Sequence, residues 1–189
     1  SVDTRFGAPS GEIKQLQSAN FKFLFLARHG DQQKVPPHLI NYRANLEALS
    51  SAGVSIIVSI NAVGAISDTV SVGQLVIPDQ IIDYTWGREH TIDVGGDQGL
   101  MHIDFTEPFD FEVRNELIQV AENLKLNVSE SSTIGVTQGP RLESAAEISR
   151  LSRDGCDLVG MTSMPEAGIA RELNLRYASI CVVSNLAAG

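Results

Sequence analysis

Hydrophobic and polar positions alternate along this chain in two rhythms. Short, nearly continuous apolar runs read as buried strands: FKFLFLA at 21–27, VSIIVSI at 54–60 and RYASICVVS at 176–184. Shorter runs at 133–137 and 157–161 read the same way. Residues 75–82 form a further strand candidate, which Pro78 marks as an edge or a bulge. Between these runs the apolar period lengthens to that of helices. Asn41 can cap a helix over 42–52 with Leu46 and Leu49 turned inward and Gly53 at its end. Asp110 can cap a helix over 111–124 with Val113, Leu117, Val120, Ala121 and Leu124 on one stripe. Residues 144–154, closed by Gly155, and 165–173 complete the helices. Residues 31–40, with Pro36 and Pro37, read as a loop, Asn61-Ala62-Val63-Gly64 as a Gly-containing turn, and 84–108 as long loops. Strands alternating with helices predict an α/β domain around a largely parallel or mixed sheet.

Composition changes this picture little. The 189 residues suit one domain, and 43% hydrophobic with 20% charged residues is ordinary for a soluble fold. A net charge of −9 disfavours nonspecific binding to nucleic acid or acidic membranes, so an anionic substrate needs a local basic site. No apolar run approaches the roughly 20 residues of a membrane helix, and no signal peptide is visible. Cys156 and Cys181 have neither disulfide-scaffold nor metal-ligand spacing, so no metal is expected and a reducing cytoplasm is the default. The chain does not begin with Met and stops directly after an apolar strand, so both ends read as cut.

Candidate chemistry gathers where strands end, the usual ligand position in open α/β sheets. Arg28-His29 follow one strand, Asn61-Ala62 the next, Met161-Thr162 another, and Asn185 the last. Each has an ordinary structural reading by itself: a solvated basic pair, a tight turn, a core Met beside a helix cap, a strand-end turn residue.

Four segments together, LARHG with PPHLINYRAN, NAVGAI, TQGPRLESAAEI and VGMTSMPEAGIARE, resemble the methylthioadenosine/purine nucleoside phosphorylase family. FGAPS, DYTWGREHT and SNLAAG are most similar to its methylthioinosine-cleaving branch. The resemblance runs from about Phe6 to Gly189. It implies a single three-layer α/β/α sandwich around a mixed, partly barrel-like sheet, acting as a homotrimer. It also implies phosphorolysis, in which inorganic phosphate attacks C1′ of a purine nucleoside, with no cofactor beyond that co-substrate. The best single expectation is 5′-methylthioinosine cleaved to hypoxanthine and 5-methylthioribose 1-phosphate. A general inosine/guanosine phosphorylase comes next, then a methylthioadenosine phosphorylase. A hydrolytic nucleosidase and a nucleoside-binding protein without turnover are the other readings. Arg28-His29 speaks against hydrolysis, which needs no phosphate pair.

The resemblance assigns Arg28, His29, the backbone of Asn61-Ala62 and the Thr162 hydroxyl to phosphate. Met161 packs on the ribose and Leu142 on the purine. His102 is lent to the 5′ end of a neighbouring subunit's nucleoside. Glu143 and Asn185 read the base. A 6-oxopurine offers an N1–H donor and an O6 acceptor, which suit a carboxylate and an amide respectively. Adenine-using relatives carry Asp at the position of Asn185 and polar residues at those of Leu186 and Ala187, so this pocket is expected to prefer hypoxanthine or guanine. Gln33 stands where the family usually has a second His, which leaves its sugar or 5′ contact without a titratable group. The family's opening strand with its Gly-rich phosphate loop, and its C-terminal helix, have no counterpart in these 189 residues.

Overall fold

The computed structural model describes residues 3–18, 21–95 and 100–189; within the expected 84–108 loop, positions 96–99 lie outside the described residues. Thirteen elements run in the order β1 (Lys14–Ser18), β2 (Phe21–Phe25), α1 (Tyr42–Ser51), β3 (Ile56–Ala65), β4 (Leu75–Val76), β5 (Gln80–Asp83), α2 (Phe111–Asn123), β6 (Val128–Ser129), β7 (Thr133–Val136), α3 (Ala145–Arg153), β8 (Leu158–Gly160), α4 (Ser163–Glu172) and β9 (Arg176–Leu186). A single 3₁₀ turn, Pro37–Leu39, interrupts the 31–40 loop.

The main sheet has seven strands in the order β5-β7-β8-β3-β9-β4-β6. It is mixed: β3 runs parallel to β9 and antiparallel to β8. Its curvature follows from connectivity. β5 ends this order on one side and β4 stands next to the last strand on the other, yet only Ile77, Pro78 and Asp79 separate them along the chain. β6 and β7 are likewise neighbours in sequence and distant in the sheet. Links that short require the two ends of the sheet to curl towards each other, so the sheet is barrel-like. Pro78 thus splits the expected 75–82 strand in two and turns the corner instead of marking an edge. At this seam the Asp79 carboxylate accepts from Ser132 N (2.7 Å), and Arg114 donates to the carbonyls of Ile77, Pro78 and Glu130.

The first two helices begin where their caps predict, while α4 begins at Ser163, two residues before its expected start and without a side-chain cap. Asn41 Oδ1 accepts from Ala44 N at 3.1 Å, and Asp110 Oδ1 accepts from Val113 N at 2.9 Å. Ser144 and Glu147 form a reciprocal capping box. Arg141 also pairs with Glu147 and holds that carboxyl down at about 2. α2 departs from its expected stripe: Val113 and Ala121 are buried, but Val120 and Leu124 face outward.

Two strand expectations need correction. The 21–27 run is not a member of the main sheet. It pairs antiparallel with β1, a polar strand that the hydrophobic pattern does not reveal, in a separate two-stranded ribbon. The Asn61–Gly64 segment is not a turn but the interior of β3, with a bulge between Val63 and Gly64. Gly64 fits the close packing there, because a Cβ would lie 3.2 Å from both Asn185 Nδ2 and Val159 Cγ1 and would push those side chains back by a few tenths of an ångström. No helix among the described residues is long and apolar enough to cross a membrane.

Candidate functional site

One cavity of about 1330 Å³ opens between β2, the long strand β3, and the chain following β7, β8 and β9. It is lined by Arg28, His29, Gln33, Asn61, Ala62, Leu142, Glu143, Met161, Thr162, Asn185 and Ala187. These are eleven of the twelve residues expected from the sequence. The twelfth, His102, is exposed and does not line the cavity.

The cavity has a polar floor built on β3. Arg28 enters just after β2, and its guanidinium meets three acceptors: Glu166 Oε1 at 2.7 Å, Ile60 O at 2.6 Å, and Asn61 Oδ1. Asn61 Nδ2 donates to Ser179 Oγ at 2.5 Å and Ser59 Oγ at 3.2 Å, and Asn61 Oδ1 accepts from Thr162 Oγ1 at 3.0 Å. Tyr177 donates to Glu166 Oε1 at 2.9 Å, with Ser59 Oγ 2.8 Å from the same hydroxyl. The network thus joins β3, α4 and β9 through side chains far apart in sequence. Burial opposes the Arg28 charge, yet Glu166 and the Tyr177 hydroxyl group hold its pKa above the ordinary arginine value. The Tyr177 phenol is pushed well up, first by burial and then by Glu166. Glu166 is 5% exposed, and a carboxylate is seldom so deep unless paired.

A guanidinium has five N–H donors. With these three acceptors met, Arg28 retains Nε–H and one Nη1–H among its described contacts. Peptide groups of alternate residues on a strand point to the same edge. Because Ile60 O faces Arg28, Ala62 N–H shares that side, away from the β9 ladder. His29 is oriented by its backbone neighbour: Nδ1 lies 2.8 Å from Val35 O and must donate to it, which leaves Nε2 to face the cavity side. The floor therefore presents a cation, a strand amide, a hydroxyl and an imidazole nitrogen within one concavity.

The other wall is built by the chain after β7 and β8. Thr137 Oγ1 donates to Glu143 Oε1 at 2.5 Å, which leaves the second carboxylate oxygen unengaged by that bond. Gly139 (φ +60°) lets the turn press on Met161, since a Cβ there would lie 2.5 Å from Met161 Sδ. Asn185 Oδ1 accepts from Ser184 Oγ at 2.8 Å, and Nδ2 donates to Leu186 O at 2.7 Å. An amide has two donors and two acceptor lone pairs, so one of each remains. Leu142 is 74% exposed, an apolar side chain standing at the rim.

Sequence reasoning missed Thr137, Glu166 and Tyr177. A lone Glu inside PEAG carries no signal of burial; its partners lie 138 and 11 residues away. Cys181 is buried, and burial pushes its thiol up to about 11, so little thiolate exists at neutral pH.

Among the described residues, the edge of β3 that faces β2 has no strand partner over 56–63, since β8 pairs only with Gly64 and Ala65. Phe23 and Phe25 on one side and Ile56, Val58 and Ile60 on the other are exposed along this gap.

Comparison with known proteins fits this geometry. The sequence profile of the Phosphorylase superfamily matches residues 2–189. A protein from Xylella fastidiosa named "Probable S-methyl-5'-thioinosine phosphorylase" is 49% identical over 190 residues, covering all of this chain and 79% of the relative. A "6-oxopurine nucleoside phosphorylase" from Pyrococcus furiosus is 44% identical, covering 96% of this chain and 71% of its own length. Among solved structures, methylthioadenosine phosphorylase from Schistosoma mansoni in complex with tubercidin superposes with a TM-score of 0.95 at 33% identity. It is matched over 98% of this chain and 74% of that one.

Proposed function

From the premise that this chain belongs to the phosphorylase superfamily, we propose that it catalyses phosphorolysis of a 6-oxopurine nucleoside, with S-methyl-5'-thioinosine as the preferred substrate. The observation that carries the reading is the two-walled cavity: oxyanion donors on β3 and its neighbours, and a carboxylate with an amide opposite them. A phosphate oxygen bonds to C1′ while the C1′–N9 bond breaks. The bonding pair passes into the purine, which takes up at N7, by way of solvent, the proton that hydrogen phosphate gives up on becoming the sugar phosphate ester. The products are hypoxanthine and 5-methylthioribose 1-phosphate.

Each site residue acts within that scheme. Arg28, His29 and the Ala62 N–H receive phosphate, and Thr162 turns its hydroxyl proton from Asn61 to the anion. Met161 packs on the sugar, and Leu142 and Ala187 on the base; Gln33 contributes a neutral hydrogen-bonding group near the sugar. Glu143 accepts from N1–H. Asn185 donates to O6 and accepts from N7–H as charge builds on the leaving base. Phosphate is a co-substrate and no cofactor is needed. The relatives named for methylthioinosine and for 6-oxopurine nucleosides support this base choice, and the 5′-hydroxyl of inosine or guanosine is the second reading.

The unpaired edge of β3 accepts one further extended strand between β2 and β3, which would bring a Gly-rich, hydroxyl-bearing loop to the phosphate. The assembly is a homotrimer in the cytoplasm, with His102 reaching a neighbour's cavity. Trp86, Leu100 and Met101, exposed on the same loops as His102, suit an interface. The reaction is tested by following free-base release from 5′-methylthioinosine with and without phosphate. Release is expected only with phosphate, and equal release without it would establish a hydrolase instead.

A further inference from the structure

Arg88 belongs to none of the roles above, yet it is 9% exposed and every N–H of its guanidinium meets an acceptor. Nη1 donates to Met161 O at 2.8 Å and Met164 O at 2.6 Å, with Tyr42 Oη at 3.3 Å. Nη2 donates to Gln138 O at 2.8 Å and Thr137 O at 3.2 Å, and Nε to Gln138 Oε1 at 3.1 Å. Among the described residues it forms no ion pair with a carboxylate; four backbone carbonyls compensate its charge. Those carbonyls come from two separate chain segments, 137–138 after β7 and 161–164 after β8.

Resting on the function proposed above, we infer that Arg88 is a positioning residue for the nucleoside, a clamp fixing the wall that reads base and sugar. Thr137 supplies the hydroxyl that orients Glu143, and Gly139 rests on Met161. Both contacts hang from backbone whose carbonyls Arg88 holds. Met164, another of its acceptors, is the residue with non-helical backbone at the start of α4. The phosphate side has an anchor of its own, the Arg28, Glu166, Tyr177 and Asn61 network, and Thr162, although it lies within 161–164, is tied to that network by its hydroxyl, which donates to Asn61 Oδ1 at 3.0 Å. A planar fork with five donors can bridge two segments in this way, whereas an ammonium with three donors cannot. Displacing a substrate contact by about 1 Å can cost on the order of a hundredfold in rate, so the effect of losing this clamp falls on one substrate and not on the other.

The test uses the full chain with Arg88→Lys and Arg88→Ala. Initial rates are measured against nucleoside and against phosphate, with hypoxanthine binding by calorimetry. Both variants should raise the nucleoside KM by about tenfold or more and weaken hypoxanthine in parallel, with the phosphate KM within about threefold of wild type. Added guanidinium should restore Arg88→Ala towards wild type. If Arg88→Ala does not fold, Gln138→Leu, which removes the Nε acceptor, should show the same split more weakly. An unchanged nucleoside KM and hypoxanthine affinity, or an equal rise in both KM values, would overturn the clamp. An inactive wild type would overturn the reaction instead; hypoxanthine binding would then still decide the clamp, since it needs no turnover.

Discussion

Replacing Arg28 by alanine is expected to lower kcat/KM for phosphate by roughly 10²–10³-fold while leaving hypoxanthine affinity close to wild type. Two effects add. The variant loses the two N–H donors left over from the internal network, the strongest positive feature of the cavity floor. It also exposes the incoming anion to Glu166, whose carboxylate Arg28 now neutralises at 2.7 Å. Breaking a buried pair from one side costs about 3–5 kcal/mol, because the remaining charge stays desolvated and unpaired. Stability is therefore expected to fall together with phosphate use. The two losses separate in Arg28→Ala with Glu166→Gln, which removes the stranded charge. That double variant should regain much of the lost stability without regaining phosphate affinity. Phosphate titrations at fixed nucleoside, with thermal melts of the same samples, check both halves. Wild-type phosphate kinetics in Arg28→Ala would remove Arg28 from the anion site.

The second large effect concerns the base. Asn185→Asp should weaken 6-oxopurine turnover by roughly thirty- to a thousandfold, the equivalent of about 2–4 kcal/mol. Asn185 keeps one Nδ2 hydrogen and one Oδ1 lone pair beyond its bonds to Leu186 O and Ser184 Oγ. Those are the donor that O6 needs and the acceptor that a protonated N7 needs. Aspartate keeps the acceptor and removes the donor, so O6 would face a lone pair. The bonds of Asn185 to Ser184 Oγ and Leu186 O set the orientation of the amide. Adenine nucleosides should be recovered only in part, since Glu143, held by Thr137, still opposes the bare N1 of adenine. Asn185→Asp with Glu143→Ser should recover more than either single change. The measurement is the ratio of kcat/KM for methylthioinosine and methylthioadenosine across the four proteins. A ratio that does not move in Asn185→Asp would mean that residue 185 does not read the 6-position.

The elements were legible in the sequence where local chemistry decides them. Asn41, Asp110 and Ser144 start helices because their side chains meet backbone N–H groups within three residues. Gly53 and Gly155 follow helix ends with φ of +82° and +92°. Long-range packing decides the rest. KQLQS at 14–18 has too little apolar content to announce a strand, and forms one by pairing with 21–25. Gly64 suggests a turn to a local reading, but it lies inside β3, where side chains of β9 and β8 leave little room for a Cβ. Pro78 reads as an edge, although only the curl of the whole sheet explains its position at a corner. The cavity was legible residue by residue because its lining falls in recognisable segments. Its supports were not: Arg88 acts mainly through backbone carbonyls, which any residue could supply, on partners 46 to 76 positions away, and Glu166 through Arg28 and Tyr177, 138 and 11 positions away.

The most direct test of the account is the wild-type preference between two nucleosides that differ only at the 6-position. With saturating phosphate, kcat/KM is measured for 5′-methylthioinosine and 5′-methylthioadenosine, and the sugar product is identified. Faster cleavage of methylthioinosine is expected, giving hypoxanthine and 5-methylthioribose 1-phosphate in equal amounts. Faster cleavage of methylthioadenosine, or release of free 5-methylthioribose in place of its phosphate ester, would contradict it.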